Sequence, residues 1–327
     1  MRHASLAIFH TLLAPLEAFA AVGPWQSHPE VQVRLISPWE VAPQTPRELR
    51  LGVEVTLAPH WHSYWKNSGD AGFAPALVLK TPQIEGAELL FPAPRRFELR
   101  GGLVAFGYED RMIYPVRAAL VRESAATVPD RLEIRGSFDY VVCAEECVPY
   151  RDTLTLEQSI AATGDASRED ASAATSLRIF EEQLPKPATA VALGTSATLR
   201  ELADGSRSLE LVLGAPSDPT AMLFLLPDPA YQAGRPERGL EGGHTRFRVQ
   251  LTPRTAPPPP LAATEIHWTA TGLLLGGTAT AVDGTTTAQP AQRSAFPGIV
   301  LWPLAGALVV AFAVWAFSRA GTRQTTG

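Results

Sequence analysis

Leu132-Glu-Ile-Arg-Gly-Ser-Phe-Asp-Tyr-Val-Val-Cys143-Ala-Glu-Glu-Cys147-Val-Pro-Tyr-Arg-Asp-Thr-Leu-Thr-Leu156 places two β-prone runs on either side of a cysteine pair. In a continuous strand a four-residue step separates Cα atoms by about 13 Å, whereas a disulfide needs less than about 7 Å. A bridge from Cys143 to Cys147 therefore demands a chain reversal. A three-residue hairpin loop, Ala144-Glu145-Glu146, between a strand ending at Val142 and a strand running Val148 to Leu156 supplies it. The bridge then sits at a sheet edge, near the surface.

The same style of short, β-branched or aromatic-rich segments extends upstream, at Val31 to Ser37, Leu49 to Leu57, Ala87 to Phe91 and Met112 to Val121. Pro92-Ala-Pro94 and Gly101-Gly102 punctuate them, the pattern of an antiparallel sandwich rather than of βαβ units. At Ser167 to Leu184 the character changes. Ser167 with Asp170 can cap a helix, Leu177, Phe180 and Leu184 share one face, and Pro185 stops it. Past Pro187 the β pattern resumes: Ala197 to Leu202, a turn at Asp204-Gly205, Leu209 to Leu213, Ala221 to Leu226, Thr245 to Leu251, Glu265 to Ala270 and Leu273 to Val282. Pro257 to Pro260 reads as an extended loop, and Gly284 to Ala295 as a Thr/Ala/Gln-rich spacer. The expected fold is all-β: two immunoglobulin-like sandwiches, residues 21–160 and 188–283, joined by a linker helix within 161–187.

Both ends read as membrane-directed. Arg2, the mostly apolar Leu6 to Leu16 and Ala18-Phe19-Ala20 form a secretory signal with cleavage after Ala20, although His10, Pro15 and Glu17 interrupt it. Pro297 to Phe317 is uncharged and about 21 residues long, enough to span a hydrocarbon core of about 30 Å. Trp302 and Trp315 flank it, and Arg319 and Arg323 keep the tail 318–327 on the cytoplasmic side. The region from Ala21 to about Ala295 is then expected outside the cytoplasm. The 327 residues carry 28 Lys and Arg against 33 Asp and Glu, a net charge of −5. No basic block is present to neutralise phosphates, which excludes nucleic acid as the expected partner.

Two cysteines are the whole complement, and in an oxidising compartment they form a disulfide unless something reduces it. Closing so short a loop constrains the unfolded chain less than closing a long one, which favours a working bond over a structural one. The spacing is not the thioredoxin C-x-x-C, no helix follows to lower a thiol pKa, and Glu145 and Glu146 raise it. Such a pair suits exchange with a partner that brings the activated thiolate. The rival expectation is a protein-binding module whose disulfide is a hairpin staple.

Four strings carry a resemblance: His60-Trp-His-Ser-Tyr-Trp-Lys-Asn-Ser-Gly-Asp-Ala-Gly72 with Pro75, Phe91-Pro-Ala-Pro-Arg-Arg-Phe97, Phe106-Gly-Tyr108 with Tyr114-Pro115, and Tyr140-Val-Val-Cys-Ala-Glu-Glu-Cys-Val-Pro149. The stretch from Val31 to Leu156 resembles the periplasmic amino-terminal domain of the thiol:disulfide interchange protein DsbD, and more closely that of its ScsB-type copper-sensitivity-suppressor relatives. The resemblance implies a redox-active pair that takes electrons from a membrane thiol carrier and reduces periplasmic thioredoxin-fold proteins, without a cofactor. It implies that Cys143 and Cys147 are catalytic, with Cys147 forming the mixed disulfide. It also implies an aromatic cap at Phe106 or Tyr108, and His62 and Tyr64 as neighbours of the disulfide. Full-length relatives continue into a multi-helix carrier domain, whereas this sequence shows one apolar span, so the expectation is either that a separate membrane protein supplies the electrons or that the protein does something other than reduction. Phe224-Leu-Leu-Pro-Asp228 extends the likeness weakly into the second half.

Other candidates have plainer readings. His60 and His62, two apart on a strand, would face one side and with the thiols could bind copper; a hydrogen-bonding role for His62 beside the disulfide is the stronger expectation, and no metal is assigned. Asp70 reads as a turn residue, Arg95 and Arg96 as solvated loop charges, and His244 and His267 as isolated strand residues. Nucleophile elbows, phosphate loops and zinc-protease strings are lacking, so a hydrolase reading has little support.

Overall fold

The computed structural model describes residues 22–43, 48–120, 130–162, 165–226, 228, 230–258 and 260–291. Expectations for the signal, for the span Pro297 to Phe317 and for the tail fall outside the described residues. Among the described residues no helix is long and apolar enough to cross a membrane.

The chain is mostly β. In the first half, one sheet runs Gln26–Ser27, Val31–Ile36, Glu48–Leu57, Arg111–Leu120, Ile84–Leu89. A second runs Arg168–Glu169, Trp39–Ala42, Cys147–Ile160, Arg131–Cys143, His62–Gly69, Val104–Glu109, Arg95–Glu98, with Ala76–Leu79 also pairing the Arg131–Cys143 strand. Pairing is antiparallel apart from a short parallel register of Ser159 with Val41. Side chains two apart share a face. Val33, Leu35, Leu51, Val53 and Val55 of the first sheet therefore meet Trp65, Ile134, Phe138, Tyr140 and Val142 of the second in one core. Full burial of each such side chain is worth about 1.5–3 kcal/mol.

The helix is Ala171–Glu181, shorter than the sequence pattern. Asp170 alone caps it, its carboxylate accepting from the backbone N–H of Ser172 and Ala173. Leu177 is fully buried against Ile36 and Ile113, and Arg50 pairs with Glu181 at 2.5 Å. The helix is thus packed on the outer face of the first sheet.

In the second half one hydrogen-bonded sheet of nine described strands replaces the expected two-sheet pair. Its order is Leu223–Leu225, Thr264–Leu275, Thr278–Pro290, Thr195–Glu201, Arg207–Leu213, His244–Pro253, Tyr231–Ala233, with Lys186–Pro187 and Glu237–Glu241 attached. Leu223 and Trp268 near one end share a core with Leu209 and Phe247 nearer the other, so the sheet curls over its own apolar face. Two boundaries differ from the sequence reading. Thr271-Gly272 is a bulge inside a strand, and the reversal comes at Gly276 and Gly277, both with positive φ. The expected spacer is strand as far as Pro290, its run of three β-branched threonines, Thr285 to Thr287, suiting a pleated sheet: Ala288 is buried, and Trp268 donates its indole N–H to Thr286.

The halves belong to one compact unit ending at Gln289. Phe224 inserts between Trp65 and Phe106, Lys66 pairs with Asp283 at 2.9 Å, and the Asn67 side-chain amide donates to the Leu225 carbonyl at 2.6 Å.

Candidate functional site

Strands Arg131–Cys143 and Cys147–Ile160 pair residue for residue up to Cys143 opposite Cys147, and Ala144 N–H closes the loop on the Glu146 carbonyl. The Cα atoms of the two cysteines are 4.1 Å apart and the disulfide is formed. Alternation turns Tyr140 and Val142 into the core and leaves Val141 and Cys143 on the sheet's outer face. That face is covered at Cys143, which is 2% exposed, and open at Cys147. One cysteine is exposed and the other is not.

The strand His62–Gly69, absent from the β segments read from the sequence although His62 was placed on a strand, carries two neighbours of the pair. His62 lies in register with Cys143, and Tyr64, two residues on, shares its face. The Tyr64 hydroxyl donates to Cys143 Sγ at 2.8 Å and lies 3.8 Å from Cys147 Sγ. Burial pushes the Tyr64 pKa up to about 12, so the hydroxyl keeps its proton at neutral pH. Burial lowers the His62 pKa, favouring neutral imidazole. Its ring stacks on Phe97 at 5.1 Å and meets Tyr64 edge-on at 5.3 Å, while Nε2 is buried without a hydrogen-bond partner. Gly72, at φ +73°, makes room for Tyr64: a Cβ there would lie 2.2 Å from Tyr64 Cζ.

Phe106 and Tyr108 do not face the disulfide. Along Val104–Glu109 it is Ala105 that joins the cluster of Tyr64, Val141 and Cys143. Phe106 and Tyr108 point to the opposite face, Phe106 against Phe224 and Tyr108 against Tyr114 with its hydroxyl donating to the Pro92 carbonyl. The aromatic and aliphatic cover comes from the next strand, through Phe97 and Leu99. The turn Arg100–Gly102 follows, and Arg100 reaches Glu145 in the cysteine loop at 2.6 Å. Both groups are largely exposed, so this pair is worth little by itself. Phe97 lay inside a quoted motif; with Arg95–Glu98 read as a strand, period-two alternation would have set Phe97 and Leu99 on one face and Arg96 on the other.

His60 sits in a turn at φ 70°, before the strand begins, so His60 and His62 do not share a strand face. Among the described residues no group of three or more His, Cys, Asp or Glu is arranged to hold a metal ion. Asp70 accepts from Val104 N–H at 3.0 Å, as a turn residue should, and Arg95 pairs loosely with Glu109. Arg96, expected in solvent, is partly buried.

Residues 32–159 match the family described as thiol:disulfide interchange protein DsbD, N-terminal. No curated protein sequence matches the chain. Among solved structures, the N-terminal periplasmic domain of ScsB from Proteus mirabilis is similar, at 18% identity and a TM-score of 0.61, over 83% of this chain and 99% of that one. A protein of unknown function from Porphyromonas gingivalis W83 aligns over 79% of this chain and 99% of its own at 10% identity, with a TM-score of only 0.24. The shared fold extends over both halves, whereas the sequence match is confined to the half that holds the cysteine hairpin: residues 32–159 form a DsbD amino-terminal-like domain related to thiol–disulfide interchange.

Proposed function

We propose that this protein passes electrons between a membrane thiol carrier and thioredoxin-fold proteins outside the cytoplasm, held at the membrane by Pro297 to Phe317. The observation that carries the reading is the unequal exposure of the two cysteines, Cys147 open and Cys143 buried under Tyr64, His62 and Phe97. In the reduced pair, the Cys147 thiolate attacks a partner disulfide, forming one S–S bond and releasing one partner sulfur, which takes up a proton. The Cys143 thiolate then attacks the Cys147 sulfur, closing the intramolecular bond and expelling the second partner sulfur. Two electrons and two protons leave with the partner, and the membrane carrier restores them by the same exchange in reverse. Tyr64 O–H, which donates to Cys143 Sγ, stabilises the resolving thiolate. The ScsB domain of similar fold is a periplasmic one, which supports the location. An immunoglobulin-like assignment of the first sandwich accords with the family.

The test is a trapping experiment in the native cell envelope. Cys143→Ala should accumulate a mixed disulfide between Cys147 and a thioredoxin-fold protein, and Cys147→Ala should trap little. Reversed yields would exchange the two roles, and no adduct in either variant would remove the exchange function.

A further inference from the structure

Behind the disulfide, on the reverse face of the same sheet, lies a cavity of about 380 Å³ between the two halves of the molecule. Its size is that of a small-molecule site, and junctions between folded units are a usual place for one. Phe106 and Asn67 line the wall from the disulfide sheet; Leu223, Leu225 and Leu251 line the wall from the second half. Three arginines, Arg96, Arg235 and Arg254, also line it.

We propose that this cavity binds a small organic anion with an apolar body, such as a medium-chain or aryl carboxylate, its head group held by Arg96, Arg235 and Arg254. Charge complementarity carries the assignment. Nε of Arg96 is buried with no hydrogen-bond partner, and burial together with the charge of Arg235 lowers the Arg96 pKa, outweighing the opposite pull of Glu98 and Asp70. Two cations crowded in a part-buried site are relieved by an anion. Among the described residues Arg254 bonds a backbone carbonyl, that of Tyr231, at 3.3 Å. Arg235 reaches Glu98 at 3.3 Å, in an exposed pair that a competing carboxylate can replace.

Three carboxylates also border the cavity, and each is already engaged. Asp70 accepts from Val104 N–H, Asp228 from Ala230 N–H, and Glu265 pairs with His267. The apolar walls match a hydrocarbon or aryl body, which a bare inorganic anion lacks.

The full chain, purified in a nonionic detergent, is dialysed to equilibrium against labelled 4-phenylbutyrate, with the Arg96→Gln/Arg254→Gln variant as the matched blank for partition into micelles. Saturable uptake of one molecule per chain is expected, weakened at least about tenfold in the double variant, since hydrogen bonds to charged groups are the strong ones. Arg235→Glu, at a side chain 75% exposed and therefore safe for folding, should weaken binding about fivefold or more. The neutral analogue 4-phenylbutanol should bind at least about tenfold less tightly. No saturable uptake, equal affinity for the alcohol, or undiminished binding by Arg235→Glu would each overturn the proposal.

Discussion

The hydroxyl of Tyr64 lies 2.8 Å from Cys143 Sγ, on the side of the disulfide that is closed to solvent. A disulfide sulfur is a weak acceptor, and a thiolate is a strong one, so this contact gains most when the pair is reduced and Cys143 ionises. Tyr64→Phe in a Cys147→Ala background should raise the Cys143 thiol pKa by about one to two units, the equivalent of one hydrogen bond to a charged group. Ultraviolet thiolate absorbance against pH measures it, and an unchanged titration would show that the hydroxyl does not serve the thiolate.

The bond itself should contribute little to folding. The chain-entropy relation gives about 2 kcal/mol for a loop this short, against about 4.7 kcal/mol for one of a hundred residues. Moreover, thirteen registered pairs already hold the two strands together from Arg131 to Cys143. Chemical denaturation with and without reductant should differ by no more than about 2 kcal/mol. A larger loss on reduction would mark the disulfide as a structural staple.

His62 makes stability depend on pH. Its folded pKa is lowered by burial below the ordinary 6.5, so on acidification the unfolded chain takes up a proton before the folded one does. Stability contributed by the neutral ring is therefore complete above about pH 7.5 and falls as pH drops below 6.5, until the folded pKa is reached. The slope in that window is at most about 1.4 kcal/mol per pH unit. His62→Phe keeps an aromatic ring on Phe97 and should flatten this part of the curve. An identical curve in the variant would assign the acid sensitivity to other groups.

Much of this arrangement was legible in the residues. Cysteine spacing alone dictated the hairpin, because no extended chain brings Cys143 and Cys147 within bonding distance, and strands with clean alternation, such as Leu209 to Leu213, fell where expected. What escaped was written in weaker code. His62–Gly69 buries residues on both faces, His62 and Tyr64 on one and Ser63 and Trp65 on the other, so it shows no period of two. The strand Thr278–Pro290 is rich in threonine and alanine, which carry too little hydrophobic contrast to distinguish a sheet from a spacer. The cap was misplaced for a related reason: a motif gives residues, whereas the facing of Phe106 depends on which neighbouring strand supplies the cover.

Gly72 is fixed by the ring it borders. Any side chain there meets Tyr64 Cζ at 2.2 Å, and the backbone sits at φ +73°. Gly72→Ala should therefore cost about 1–3 kcal/mol from backbone conformation and further from the clash. In a Tyr64→Ala background the clash is gone and only the backbone cost stays. A double-mutant cycle by denaturation that showed no coupling between the two sites would mean the loop moves away from the ring freely.

The cover over Cys143 can be separated from the contact between the halves. Phe97 stacks on His62 and joins the cluster of Tyr64, Val141 and Cys143, whereas Phe106 meets Phe224 at 5.1 Å on the opposite face of its strand. Truncating either ring leaves a cavity costing about 3–5 kcal/mol when burial is complete, and less for these two partly exposed rings. Stability alone therefore does not tell them apart, but thiol reactivity does. With Cys147 replaced by alanine, Phe97→Ala should speed alkylation of reduced Cys143 by about an order of magnitude or more, because access to a buried thiol limits its rate. Phe106→Ala should leave that rate near the parent value while loosening the second half, seen as faster hydrogen exchange at Leu223–Leu225. Faster alkylation in Phe106→Ala with no change in Phe97→Ala would return the cap to Phe106.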